Sequence, residues 1–251
     1  MTQYTAAFYR DLDRTAAPSA ERLVPRLIDL VAPKSVVDVG CGDGSWLLAF
    51  SRRGVEDVIG IDGPWIAPRL LKIAPERFRR MRLDEPVRLD RRFDLALSLE
   101  VAEHLPQGRA GVFVAELCAL APAVLFSAAI PGQGGEGHVN EQWPRYWAEH
   151  FRARGYLAID HFRYATWNDP NVAWWYRQNL LLFCDAALCA AEPRLSGLAV
   201  GDPAAILPLV HPECFAGAQR AARPGLGRWL RMAGGAWRRS VARGPRETTE
   251  R

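Results

Sequence analysis

Four side chains in the middle of the chain could do chemistry together: Glu100, Glu103, His104 and, further along, His138. Glu100-Val-Ala-Glu103-His104 follows an apolar run, and its i, i+3, i+4 spacing puts all three polar side chains on one face if a helix begins there. Two carboxylates and an imidazole are ligands for a divalent cation; mixed oxygen and nitrogen donors suit magnesium, manganese or zinc without choosing between them. The same imidazoles can instead work without metal, as a base that removes a proton from an acceptor. A purely structural role, with a glutamate capping a helix or binding a backbone amide, is the third reading. A second set lies earlier in the chain: Asp38-Val-Gly40-Cys-Gly42-Asp-Gly44, then Asp62. Glycines at alternate positions let the backbone approach a ligand where a Cβ would clash.

The elements that must carry these residues can be read around them. Val36, Val37 and Val39 are β-branched residues of a short strand, and Ser45–Phe50 reads as a helix directly after the glycines. A buried strand, a glycine turn and a helix start make a cofactor-binding element. The dinucleotide fingerprint G-x-G-x-x-G requires glycine at 40, 42 and 45, and position 45 is Ser. Asp57–Asp62 is a second strand, which places Asp62 at its end. Further strands are expected at 78–83 (rich in arginine), 93–99, 123–127, 156–162 and 179–183, with helices at 4–12, 19–31, 111–120 and after Pro144. Ser19 is the candidate cap of the second helix. Pro131–His138 holds four glycines and a proline in eight residues, so it is a loop. It leaves the carboxyl end of a strand, where ligands bind in open α/β sheets. Trp167, Trp174, Trp175 and Tyr176 crowd a segment that is either an inserted element near the active face or a plain packed hairpin. Strands alternating with helices argue a mostly parallel sheet.

Composition sets limits. At 251 residues and 49% hydrophobic, the chain can bury a full core. It has no apolar run long enough to span a membrane and no signal-peptide pattern. Five cysteines with no C-x-x-C suggest neither a disulfide framework nor a zinc site, which fits a reducing cytoplasm. The net charge of +4 is unevenly spread: residues 216–251 hold nine arginines and two glutamates (+7), which leaves residues 1–215 at −3. Nucleic acid is therefore not expected on the body, while the arginine-rich tail is a solvated segment or a contact for a membrane surface or an acidic partner.

The pattern Asp38-x-Gly40-x-Gly42-x-Gly44, followed by an acid that ends the second strand, resembles the first motifs of class I methyltransferases, which bind S-adenosylmethionine. The resemblance covers residues 20 to about 185. It implies a Rossmann-like α/β fold: a seven-stranded, mostly parallel sheet in the order 3-2-1-4-5-7-6 with helices on both faces. It implies a domain at 1–185 with an N-terminal helical cover, and an extension at 186–251 made of an apolar covering segment and then the tail. By the same resemblance Asp38, Gly40, Gly42 and Gly44 lie along the methionine part, Asp62 on the ribose hydroxyls, and Trp65 either on the adenine ring or in the core. Many relatives place an aspartate after strand three to accept the adenine amino group. Here that position falls on Arg82, so Asp84, a backbone carbonyl or a shifted register must account for the contact. The Glu-x-x-Glu-His set is similar to one that binds magnesium in some small-RNA and ubiquinone-pathway methyltransferases; close sequences also occur in relatives that need no metal, where the histidine is a base or orients substrate. The glycine loop and the Val139–Trp143 run after it are similar to a loop of bacterial methyltransferase-domain proteins. The expected function is methyl transfer to the oxygen or nitrogen of a small-molecule or natural-product acceptor. The alternatives are a binding protein that keeps the fold without turnover and, with less support, a nicotinamide-dependent dehydrogenase.

Overall fold

The computed structural model describes residues 6–222, with side chains from residue 14 onward. Tyr4, the side chains of Phe8 and Leu12, and the arginine-rich segment from residue 223 lie outside the described residues. By contact density the chain divides into Met1–Cys214 and Phe215–Arg251, and the first unit carries everything below. In chain order its elements are α1 (Ala6–Val31), β1 (Ser35–Val39), α2 (Ser45–Ser51), β2 (Asp57–Asp62), β3 (Phe78–Arg80), β4 (Leu95–Leu99), α3 (Ala110–Leu120), β5 (Ala123–Ser127), α4 (Pro144–Arg152), β6 (Tyr156–Ile159), α5 (Phe162–Thr166), α6 (Trp174–Asn179), β7 (Leu181–Asp185), α7 (Ala186–Ala191), α8 (Pro193–Ser196) and β8 (Ala199–Val200); α9 (Pro212–Ala222) crosses the division. Among the described residues no helix is long and apolar enough to cross a membrane.

The sheet order is β3-β2-β1-β4-β5-β7-β6-β8. β1 runs parallel between β2 and β4, with Val37 opposite Ile59 on one side and Ala96 on the other. β7 is antiparallel to both β5 and β6. The expected order of seven strands is present, with a two-residue eighth strand from the carboxyl-terminal extension added at the edge. Every residue of β4 and β5 is buried, as expected for strands covered on both faces. One core packs α1 and α2 on the sheet through Leu23, Leu27, Leu47 and Phe50. The other packs α3 and α4 through Phe113, Leu117, Trp147 and Phe151, and Phe151 stacks on Phe183 of β7 at 3.9 Å.

Four local expectations are corrected. The two helices expected at 4–12 and 19–31 are one helix, α1, that runs through Pro18 and Pro25. Ser19 does not cap a helix start: it is fully buried, its hydroxyl donates to the Thr15 carbonyl, and it accepts the Ala173 N–H at 2.9 Å. The third strand stops at Arg80, before the rest of the arginine-rich stretch. Phe162 begins a helix rather than ending β6, and Asn179 ends a helix rather than beginning β7. The aromatic segment between them is therefore an inserted pair of short helices, α5 and α6, and not a hairpin.

Candidate active site

The carboxyl ends of β1, β2 and β4 open into one cavity of about 510 Å³. The glycine turn forms its floor. Gly40 has φ +91°, and a Cβ there would lie 2.3 Å from Cγ2 of Val101. Both facts require glycine. Gly40→Ala should therefore lower stability by at least ~1–3 kcal/mol, the cost of a non-glycine residue held in a rare backbone region, read as a drop in the midpoint of thermal unfolding. Gly44, also left-handed at φ +80°, precedes the first turn of α2.

Asp62 joins this turn to β2. Its Oδ2 accepts the Gly42 N–H at 2.8 Å and its Oδ1 the Gly63 N–H at 2.6 Å. An ionised carboxylate has about four lone-pair sites, so the same group can also receive hydroxyls from a ligand. Burial raises the Asp62 carboxyl to about 6, against the pull of the Gly63, Gly42 and Trp65 hydrogen bonds. Asp38, also buried, is pushed well above the usual carboxylate range by burial and by the charges of Asp62 and Asp43. Three carboxyls, Asp38, Asp43 and Asp62, on one crevice favour a ligand that brings positive charge.

Asp43 and Lys72 are site residues that the sequence reading missed. Asp43 accepts both the N–H and the hydroxyl of Ser45 and pairs with Lys72 Nζ at 2.9 Å. The Lys72 backbone N–H bonds to the Asp43 carbonyl. These contacts pin the glycine turn, with Asp43 and Ser45 on the cavity wall and Lys72 behind them. The signal available was the i, i+2 Asp–Ser pair, a common local turn. Trp65 lies on the cavity wall with its ring against Gly63, and Ile66, Leu83 and Asp84 line the same end. Arg82 is turned into an ion pair with Asp84, so of the two it is Asp84 that faces the cavity. Thr15 and Ala16 of α1 line it too, and Trp174, Trp175 and Tyr176 form an aromatic wall beside Trp46.

At the end of β4 no α-helix begins. Glu100 has φ +54°, with its N–H held by the carbonyl and hydroxyl of Ser127, and only a 3-10 turn, Ala102–His104, follows. Of the three side chains expected on one helical face, Glu100 is consequently separated from Glu103 and His104. Glu100 is turned to Asn179, which donates at 3.1 Å, and to Gln133, which donates at 3.0 Å. Glu103 is fully buried, and neither of its carboxylate oxygens completes a hydrogen bond among the described residues. Burial and the nearby Glu100 charge push it well above the carboxylate range, and the Glu103 and Ala129 amides offset only part of this.

His138 does arrive from the glycine loop. The Glu103 carbonyl accepts the N–H groups of Val139 and Asn140, which ties the end of the loop to the turn. Glu141 accepts the N–H groups of Gly132 and Gly134 and meets His138 Nδ1 at 2.9 Å. With a carboxylate on Nδ1, the hydrogen-bond pattern assigns a proton to that nitrogen. The His104 and His138 rings sit edge to face at 4.9 Å. Burial, then His138, lowers the His104 pKa, so its imidazole is neutral at pH 7. Ligand atoms of Glu103, His104 and His138 lie within 4.8 Å of one another. Glu100, one of the three ligands expected from sequence, is not in that group because its oxygens are held by Asn179 and Gln133; His138 takes its place.

The sequence profile of a family described as a methyltransferase domain matches residues 8–164. No curated protein matches. Among solved structures the chain is similar to magnesium protoporphyrin IX methyltransferase (ChlM) from Synechocystis PCC 6803 with bound SAH, at 17% identity, TM-score 0.53, and coverage of 74% of this chain and 90% of that one. It is similar to the sugar N-methyltransferase KedS8 from Streptoalloteichus sp ATCC 53650 (16%, TM-score 0.56, 74% and 94%). It is also similar to SAM-bound CalS10, an amino pentose methyltransferase from Micromonospora echinaspora (15%, TM-score 0.51, 74% and 99%).

Proposed function

The chain belongs to the methyltransferase-domain family and uses S-adenosylmethionine, and on that premise we propose that it methylates an oxygen or nitrogen of a small-molecule acceptor bound at the Glu103–His104–His138 end of the cavity. Asp62 takes the ribose hydroxyls, Asp38, Gly40 and Gly42 follow the methionine part, and Trp65 borders the adenine. One observation carries the reading: the glycine turn and the two histidines open into the same cavity. The sulfonium is a cation, and the ionisable lining of that cavity is carboxylates, two histidines, Cys41 and Tyr176, with neither Lys nor Arg among the described lining residues. That lining suits a neutral or cationic acceptor and disfavours a phosphate backbone. The solved structures that share the fold include, by name, methyltransferases of a sugar, an amino pentose and a porphyrin, which supports a small acceptor.

In the transfer the S–CH₃ bond breaks as a C–O or C–N bond forms, and the acceptor's proton passes to an imidazole nitrogen of His104 or His138. Holding acceptor and methyl in line can supply up to ~7–11 kcal/mol. The test is transfer of labelled methyl from S-adenosylmethionine to a panel of hydroxyl and amine acceptors. Label should reach at least one of them; cofactor binding with no transfer to any would favour the binding-protein alternative.

A divalent cation is a second reading, and the two uncompleted oxygens of buried Glu103 favour it. Glu103, His104 and His138 would hold the ion, which would lower the pKa of an acceptor hydroxyl. Elemental analysis and chelation separate the readings. If chelated protein keeps full turnover while His104→Ala loses it, the metal reading falls and the base reading stands.

A further inference from the structure

Behind Glu100 lie three carboxamides, Gln133, Gln178 and Asn179. Gln178 is fully buried and Asn179 nearly so, whereas Gln133 belongs to the glycine loop and lines the cavity. Carboxamide oxygen and nitrogen are set by their partners, and here two backbone N–H groups, which can only donate, set them. The His211 N–H bonds to Gln178 Oε1 at 2.8 Å, so Gln178 Nε2 must point the other way, where it donates to Gln133 Oε1 at 2.9 Å and Asn179 Oδ1 at 3.0 Å. The Ile130 N–H independently reaches Gln133 Oε1 at 3.3 Å. Both anchors therefore turn Gln133 Nε2 toward Glu100 Oε2, at 3.0 Å. Asn179 Nδ2 bridges Gln133 Oε1 at 2.9 Å and Glu100 Oε1 at 3.1 Å.

His211 lies beyond the family match, in the segment after β8. That segment is fastened to the body: buried Arg163 donates to the Leu207 carbonyl at 2.9 Å, and Arg177 pairs with Glu213. We propose that Gln178, fixed by the His211 N–H, is a positioning residue that orients Gln133 so that the glycine loop closes on Glu100 at the acceptor end of the cavity. The carboxyl-terminal segment thus sets the geometry of a loop that carries His138. The left-handed backbone of Glu100 fits this account, since such a conformation persists only when its surroundings over-determine it. Ser127, Asn179 and Gln133, from three separate segments, all hold it. The role of this geometry rests on the proposed acceptor site; the linkage itself can be measured without an acceptor.

The experiment is amide hydrogen exchange on the full chain with Gln178→Met, Gln133→Met and the double variant, together with calorimetric titration of S-adenosylhomocysteine. Gln178→Met should speed exchange in peptides covering 131–139 roughly five- to tenfold, the loss expected for one buried hydrogen-bond link, and Gln133→Met, which also removes the bonds to Ile130, Asn179 and Glu100, at least as much. Exchange at the glycine turn and affinity for S-adenosylhomocysteine should stay within about twofold, since neither residue touches that end. Because Gln178 reaches the loop through Gln133, the double variant should be no faster than Gln133→Met alone. Unchanged loop exchange, or two increments that add in the double variant, would overturn the proposal. If Gln178→Met does not fold, Gln133→Met removes the same link from the loop side, and unchanged loop exchange there overturns it equally. Failure of the wild type to bind S-adenosylhomocysteine would sink the methyltransferase reading and leave the loop measurement standing.

Discussion

Asp62→Ala should bind S-adenosylhomocysteine about 10²–10⁴-fold more weakly than the wild type. Two ribose hydroxyls donating to a charged carboxylate are worth ~1.5–3 kcal/mol each, and every 1.4 kcal/mol is tenfold in affinity. Asp62→Asn is not a mild substitute. The Gly42 and Gly63 N–H groups address opposite oxygens of the carboxylate, so an amide would set its NH₂ against one of them. The same residue gives a pH signature. Its folded-state pKa, about 6, is raised from 3.8, so the ligand-free protein holds a proton there that the unfolded chain has released. This group's contribution to the ligand-free fold is therefore full below 3.8 and is lost as pH rises through about 6. Cofactor binding, which needs the carboxylate, moves the other way and weakens as pH falls through about 6. Calorimetry between pH 5 and pH 8 checks both the loss in Asp62→Ala and the opposed trends in the wild type; an affinity indifferent to the Ala substitution would remove Asp62 from the cofactor site.

The second large effect is on turnover. If a histidine takes the acceptor proton, His104→Ala or His138→Ala should lower kcat by ~10²–10⁴, the usual worth of a placed base. Affinity for S-adenosylhomocysteine should be nearly unchanged. His104 sits below its ordinary 6.5, so the acidic limb of its activity should fall at a pH lower than that, where the imidazole gains a proton. Glu141→Gln should mimic part of the His138 loss, because Glu141 fixes both the His138 ring and the loop amides at Gly132 and Gly134. Full turnover in both alanine variants would rule out the base and metal readings together and leave alignment as the source of rate.

What could be read from sequence was what is local. Val36–Gly44 carries its strand, turn and helix start in consecutive residues, and Asp62 ends the next strand. Glu100, Glu103 and His104 were correctly identified as polar groups at the end of β4, but their division of labour depends on remote partners. Ser127 imposes the backbone turn at Glu100, and Asn179 and Gln133 hold its carboxylate, while the Glu103 carboxylate completes no hydrogen bond among the described residues. Likewise Ser19 looks like a helix cap until its partner, the Ala173 N–H, is brought in from 154 positions away. The segment around His211 has no pattern of its own. Its meaning lies in single bonds to Arg163, Arg177 and Gln178, which no periodicity encodes.

The account stands or falls on where the reacting sulfur lies. An experimental structure with S-adenosylhomocysteine bound tests this directly. The account predicts the ribose hydroxyls on Asp62, the amino-acid end along Asp38 and Gly40, and the sulfur turned toward the space between His104 and His138. A ligand seated away from the glycine turn, or a sulfur facing away from both histidines, would contradict it.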